Sequence, residues 1–100
     1  MKKHPLGVNF LNYRIRMRHL REDNDLTQKE VGLVIQKSQQ GYSHIEDGRA
    51  ELKIDDLIKL CDFYNVSADY FIGRTVNPDT QNNISPQMKI ARILAGDWPE

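Results

Sequence analysis

Two adjacent glutamines, a serine and a histidine stand in the run SQQGYSHIEDG, residues 38–48. A glutamine amide holds a carbonyl acceptor and an NH2 donor in one plane, so it can pair bidentately with adenine through N6 and N7. Gln39 and Gln40 therefore suit the reading of base edges, and Ser43 and His44, one helical turn further on, can each reach a base edge or a phosphate. The alternative reading of the same residues is a polar surface helix that contacts nothing.

Other chemistry finds little support. His4, His19 and His44 are scattered and lack metal-ligand spacing, so no zinc site is expected. Cys61 is the single cysteine, which excludes an internal disulfide framework, fits a reducing compartment such as the cytoplasm, and makes a small core residue on an apolar helix face. No phosphate-cradling glycine loop, nucleophile elbow or catalytic triad is present, and Asp55-Asp56 suit the favourable field at a helix N-terminus better than acid–base work. Neither an enzyme nor a cofactor is expected. No apolar run is long enough for a signal peptide or a membrane span, so no membrane role is expected.

Formal charge is zero, yet unevenly distributed. Lys2, Lys3, Arg14, Arg16, Arg18 and Arg21 all precede the first carboxylate, Glu22, and the remaining eight basic and fourteen acidic residues leave the rest of the chain at −6. Such asymmetry can give a neutral protein one positive face for docking on phosphates. It is equally compatible with a solvated basic helix.

The elements that position these groups are all helical. Phe10, Tyr13, Met17 and Leu20 step by three and four, predicting a first helix over 9–24. Thr27 with Glu30 has capping-box spacing, and Leu26 can staple against Val31, opening a second helix over 28–35. Ser38 caps a third short helix that runs to Glu46 and stops at Asp47-Gly48. Ile54, Leu57, Ile58, Cys61 and Tyr64 share one face of a fourth helix over 54–64, and Ser67 caps a fifth over 68–72, ended by Gly73. No β alternation appears.

The chain thus divides into an N-terminal arm (1–8), an all-α five-helix domain (9–73), a polar linker (74–86) and a C-terminal tail (87–100). Met88, Ile90, Ala91, Ile93 and Leu94 give the tail an amphipathic helix over 87–95. That helix is marginal alone, so it either docks on the domain or, together with Trp98, dimerises the protein.

Two short helices, the second capped by Ser after a tight link, have the sequence form of a helix-turn-helix, whose second helix enters the major groove. The runs LTQKEV, SQQGYSHIEDG and IDDLIKLCDFYNVSADYFIG, at these mutual spacings, closely resemble the Cro/C1-type regulators, also called the xenobiotic-response-element family. The likeness covers about residues 13–73 and implies a lambda-repressor-like fold and a sequence-specific regulator of transcription that binds double-stranded DNA, most often a repressor and a homodimer.

By position, the resemblance implies that Gln28 bonds a DNA phosphate and braces the recognition helix. It places Gln39, Gln40 and His44 at base edges and Arg49 at the phosphate backbone, and makes Arg21 and Glu46 an ion pair between the first and third helices. Lys37, Arg18 and Lys53 are further phosphate candidates. The chain departs from the family at the turn, where Gln36-Lys37 replaces glycine followed by an apolar residue. A left-handed Gln36 would cost about 1–2 kcal/mol. Gly41 and Tyr42 also replace more ordinary helix residues, a mid-helix glycine costing about 1 kcal/mol relative to alanine. A protein-interaction module on the same fold, an antitoxin or adaptor, is the competing function, favoured by net neutrality and the apolar tail.

Overall fold

The computed structural model describes residues 13–75, 77 and 85–96. The N-terminal arm, residues 9–12 of the expected first helix, most of the linker and Trp98 lie outside the described residues. Among the described residues six helices follow in chain order: α1 (Tyr13–Asp23), α2 (Gln28–Val34), α3 (Gln39–Asp47), α4 (Ile54–Tyr64), α5 (Ala68–Phe71) and α6 (Pro86–Leu94). No strand occurs among the described residues.

The ends of these helices are fixed by the groups that satisfy their unpaired backbone donors and acceptors. Thr27 Oγ1 accepts from the Glu30 N–H at 3.1 Å while Glu30 Oε1 accepts from the Thr27 N–H at 2.9 Å, a complete capping box. Ser38, Ser67 and Ser85 cap α3, α5 and α6 in the same one-sided way, each hydroxyl accepting from the N–H three residues on. Each such cap contributes about 1 kcal/mol. Pro86 begins α6 where a missing N–H costs nothing, one residue earlier than the apolar spacing alone indicates.

The core gathers Met17, Leu20, Leu26, Val31, Ile35, Tyr42, Ile45, Leu60, Phe63 and Phe71 from α1 through α5. α6 joins it: Ile90 is buried, Ile93 packs against the same cluster, and the helix lies on α2 and α4. The tail helix thus folds back on its own domain.

One lysine fastens it there. Lys89 is 2% exposed, and its ammonium donates to the Asp62 carbonyl at 2.6 Å, the Phe63 carbonyl at 2.9 Å and Asn65 Oδ1 at 2.7 Å. Those acceptors are the last carbonyls of α4 and its left-handed cap residue, where helix ends favour a cation. Burial holds the ammonium below the usual lysine range.

Candidate nucleic-acid interface

Among the described residues α2 and α3 make the most extensive helix–helix contact, and a link of only four residues, Ile35 to Ser38, joins them. Lys37 N–H donates to the Gly32 carbonyl at 2.8 Å, drawing the turn onto α2. A Cβ on Gly32 would lie 2.8 Å from the Lys37 carbonyl oxygen and 3.3 Å from that of Ser38, both backbone atoms with no room to yield. Gly32 is therefore what lets α3 approach α2, a requirement that helical periodicity does not reveal. Gln36 completes the turn at φ 57°, the left-handed conformation whose strain glycine would avoid.

α3 itself is divided into two faces. Tyr42, Ile45 and Glu46 are buried, whereas Gln39, Gln40 and Asp47 are exposed and Ser43 and His44 half-exposed. The outward residues follow steps of three and four, so they share one stripe. With Ser38 and Arg49 they line one open groove of about 510 Å³. Gly41 lies in the first turn rather than mid-helix, where its N–H donates to Ser38 Oγ, which corrects the expected interior penalty. Tyr42 is wholly buried and belongs to the core, not to the polar face.

The buried edge of α3 is anchored by charge. Arg21 donates through Nε to Glu46 Oε2 at 2.7 Å and through Nη2 to Oε1 at 3.2 Å, and its Nη1 reaches the Leu26 carbonyl. Gln28 Nε2 donates to Glu46 Oε1 at 3.2 Å, so its amide ties α2 to α3 within the protein. Burial by itself pushes the Glu46 carboxyl up, but the hydrogen bonds from Arg21 and its neighbours outweigh it and hold the group below the usual carboxylate range. Arg21 is correspondingly raised, chiefly by the same hydrogen bond.

The basic residues of α1 turn inward. Arg14 donates to the carbonyls of Ile45 at 3.0 Å and Ala50 at 3.2 Å, closing the C-terminal end of α3 beside Gly48, whose φ of 88° reverses the chain. Arg16 is 3% exposed; it donates to the Tyr70 carbonyl at 2.7 Å and stacks 3.9 Å from the centre of that ring, joining α1 to α5. Arg18 stays half-exposed with Glu46 at 3.7 Å and Asp47 at 4.0 Å. The positive face that the charge distribution allowed does not form on α1, because Arg14 and Arg16 cap carbonyls while Arg18 and Arg21 lie against Glu46. Arg16 shares the i, i+4 position with Leu20, and that spacing is the signal that marks it as inward-facing.

The remaining candidate cations border the stripe differently. Arg49 and Lys53 are exposed and form no ion pair among the described residues. Lys37 is half-buried, 3.9 Å from Asp56. No cluster of metal-ligating side chains occurs among the described residues, and no described helix is long and apolar enough to cross a membrane.

A capped pair of short helices, locked by a close glycine contact and presenting the polar stripe of the second, defines a helix-turn-helix DNA-binding domain. The helix-turn-helix family model matches residues 17–71, and the chain belongs to that family, the Cro/C1-type or xenobiotic-response-element regulators. No curated protein and no solved structure matches the chain significantly.

Proposed function

We propose that the protein is a sequence-specific double-stranded DNA-binding transcriptional regulator that reads the major groove with α3 and represses by occupying its operator as a homodimer in the cytoplasm. The observation that carries this reading is the division of α3: Tyr42, Ile45 and Glu46 fix its rotation, and the residues so turned outward are Gln39, Gln40, Ser43 and His44. Their donors and acceptors match base edges.

Arg49 and Lys53 supply phosphate contacts from the loop after α3, and Lys37 joins them by exchanging Asp56 for a phosphate. Gln28 braces α3 through Glu46 and lies at the start of α2, where helix N–H groups favour a phosphate. Arg18 competes for the same role against two neighbouring carboxylates. Because few cations among the described residues face the groove, affinity rests more on base contacts than on bulk charge, and salt dependence is shallow for a DNA-binding protein.

Selection of binding sites from random duplex DNA tests the reading. An enriched inverted repeat with half-sites about 34–36 Å apart supports it, since two recognition helices then meet successive major-groove turns. Recovery of no sequence preference overturns it. In that event the competing function, a protein-interaction module, is favoured by the exposed Met88 and Leu94 of α6, which are 58% and 68% accessible.

A further inference from the structure

α4 covers the core with one side and leaves the other open. Asp56, Leu60, Phe63 and Tyr64 are buried, whereas Ile54 and Ile58, one turn apart, are 68% and 53% exposed. Two large β-branched side chains at i and i+4 form an apolar ridge with no part in the protomer's own core, the kind of surface that marks an interface. Asp55 and Lys59 flank the ridge on one side, and among the described residues neither forms an ion pair.

We infer that this face of α4 is the binding surface for a second copy of the chain, the two α4 helices packing antiparallel about a two-fold axis near Leu57. The argument is one of register. In an isologous antiparallel pair, residues equally distant from the axis on opposite sides face each other, and the rotation keeps each flank on its own side. An axis at Leu57 sets Asp55 level with the partner's Lys59, and symmetry repeats the ion pair. It also leaves Ile54 two residues, about 3 Å along the helix, from the partner's Ile58, within ordinary packing distance.

The other exposed apolar face, on α6, lacks this complementarity. Beside Met88 and Leu94 its only exposed charge is Arg92, and the helix contains no acid to meet it across a two-fold. α4 also follows α3 directly, through the loop carrying Arg49 and Lys53. The inference rests on the DNA-binding reading only for its purpose, since a symmetric operator calls for a symmetric protein.

Light scattering of the full chain over a concentration series, with and without a two-half-site duplex, tests the surface. Ile54→Glu and Ile58→Glu should shift the mass to monomer while keeping the thermal midpoint and the binding of a single half-site. Asp55→Lys and Lys59→Asp should each weaken dimerisation roughly tenfold, since each converts two attractive pairs into two repulsive ones, and the double swap should recover most of the loss. A wild-type protein that stays monomeric in both conditions overturns the inference. So does retention of dimer mass by Ile58→Glu, or a double swap no better than either single change. If the swap pattern holds but no duplex is bound, the surface stands and the DNA-binding reading falls.

Discussion

Arg21 grips both carboxylate oxygens of Glu46, at 2.7 and 3.2 Å, and so joins α1 to the last turn of α3 through an acid whose side chain has no solvent exposure. Removing either partner strands the other charge in the interior, which costs about 3–5 kcal/mol. Glu46→Ala should lower the thermal midpoint by on the order of 20 °C, given the size of the domain. Arg21→Ala should do nearly as much, and the double variant should fall well short of the sum. Melting curves of the four proteins check this; strict additivity would mean that the two residues do not act as a unit.

The same pair sets an acid limit. Because the folded Glu46 carboxyl lies below its ordinary value of 4.5, the unfolded chain binds that proton more tightly. Its contribution to stability is therefore complete above about pH 4.5 and is lost as the pH falls through the folded value. Glu46→Gln should flatten this part of the stability profile, read by urea unfolding between neutral and acid pH. An unchanged slope would assign acid sensitivity to other carboxylates.

The helices and their caps were legible because each depends on neighbours in sequence: Thr27 with Glu30, Ser38 with Gly41, and the apolar steps of α4, although Ile54 and Ile58 of that expected inner face turn out to solvent because the core meets α4 along Leu60, Phe63 and Tyr64. The polar stripe of α3 followed from the same periodicity. What local pattern does not carry is contact between elements. Arg14 reads as solvated charge, and Arg16 carries only its spacing to Leu20 as a sign of an inward direction, until the carbonyls of Ile45, Ala50 and Tyr70 are brought to them from 31 to 54 residues away. Gly32 reads as an ordinary weak point in α2, since only the returning backbone of Lys37 and Ser38 gives it a purpose. Lys89 reads as the polar edge of an amphipathic tail, and its burial depends on where α4 ends.

The turn makes two opposite predictions for neighbouring positions. Gln36 sits at φ 57°, so Gln36→Gly relieves strain and should stabilise the protein by roughly 0.5–1 kcal/mol after the added freedom of the unfolded chain is counted. Gly32→Ala should destabilise despite alanine's better helix propensity, because its methyl group would press on backbone oxygens at 2.8 and 3.3 Å. Denaturant midpoints of the two variants should move in opposite directions. A stabilised Gly32→Ala would mean that α3 can move away from α2 at little cost.

α6 is expected to behave as part of the domain. Truncation after Thr75 uncovers the surface under Ile90 and Ile93 and removes Lys89 from the end of α4, so the unfolding midpoint should drop and the denaturant dependence should shrink with the buried area. Lys89→Met keeps much of the apolar stem but leaves the Asp62 and Phe63 carbonyls without their ammonium donor. Hydrogen exchange should then quicken in the last turn of α4 more than in α1. Equal stability of the full and truncated chains would show that α6 contributes no net packing energy.

Readout of sequence separates from general attraction at the two ends of the groove. Gln39→Ala and Gln40→Ala should each weaken binding to the selected operator by about 1–3 kcal/mol and relax preference at one base position, with binding to random duplex nearly unchanged. Arg49→Ala should instead weaken both classes of duplex alike and lower the salt slope by roughly one. Gln28→Ala is expected to do more than lose a phosphate, because its amide also donates to Glu46 and its removal frees the buried edge of α3. Its effect on operator affinity should therefore exceed its effect on random DNA, and its thermal midpoint should fall as well. Titrations on the two duplexes at several salt concentrations distinguish these patterns, and equal losses on both duplexes for Gln39→Ala and Gln40→Ala would show that α3 does not read bases.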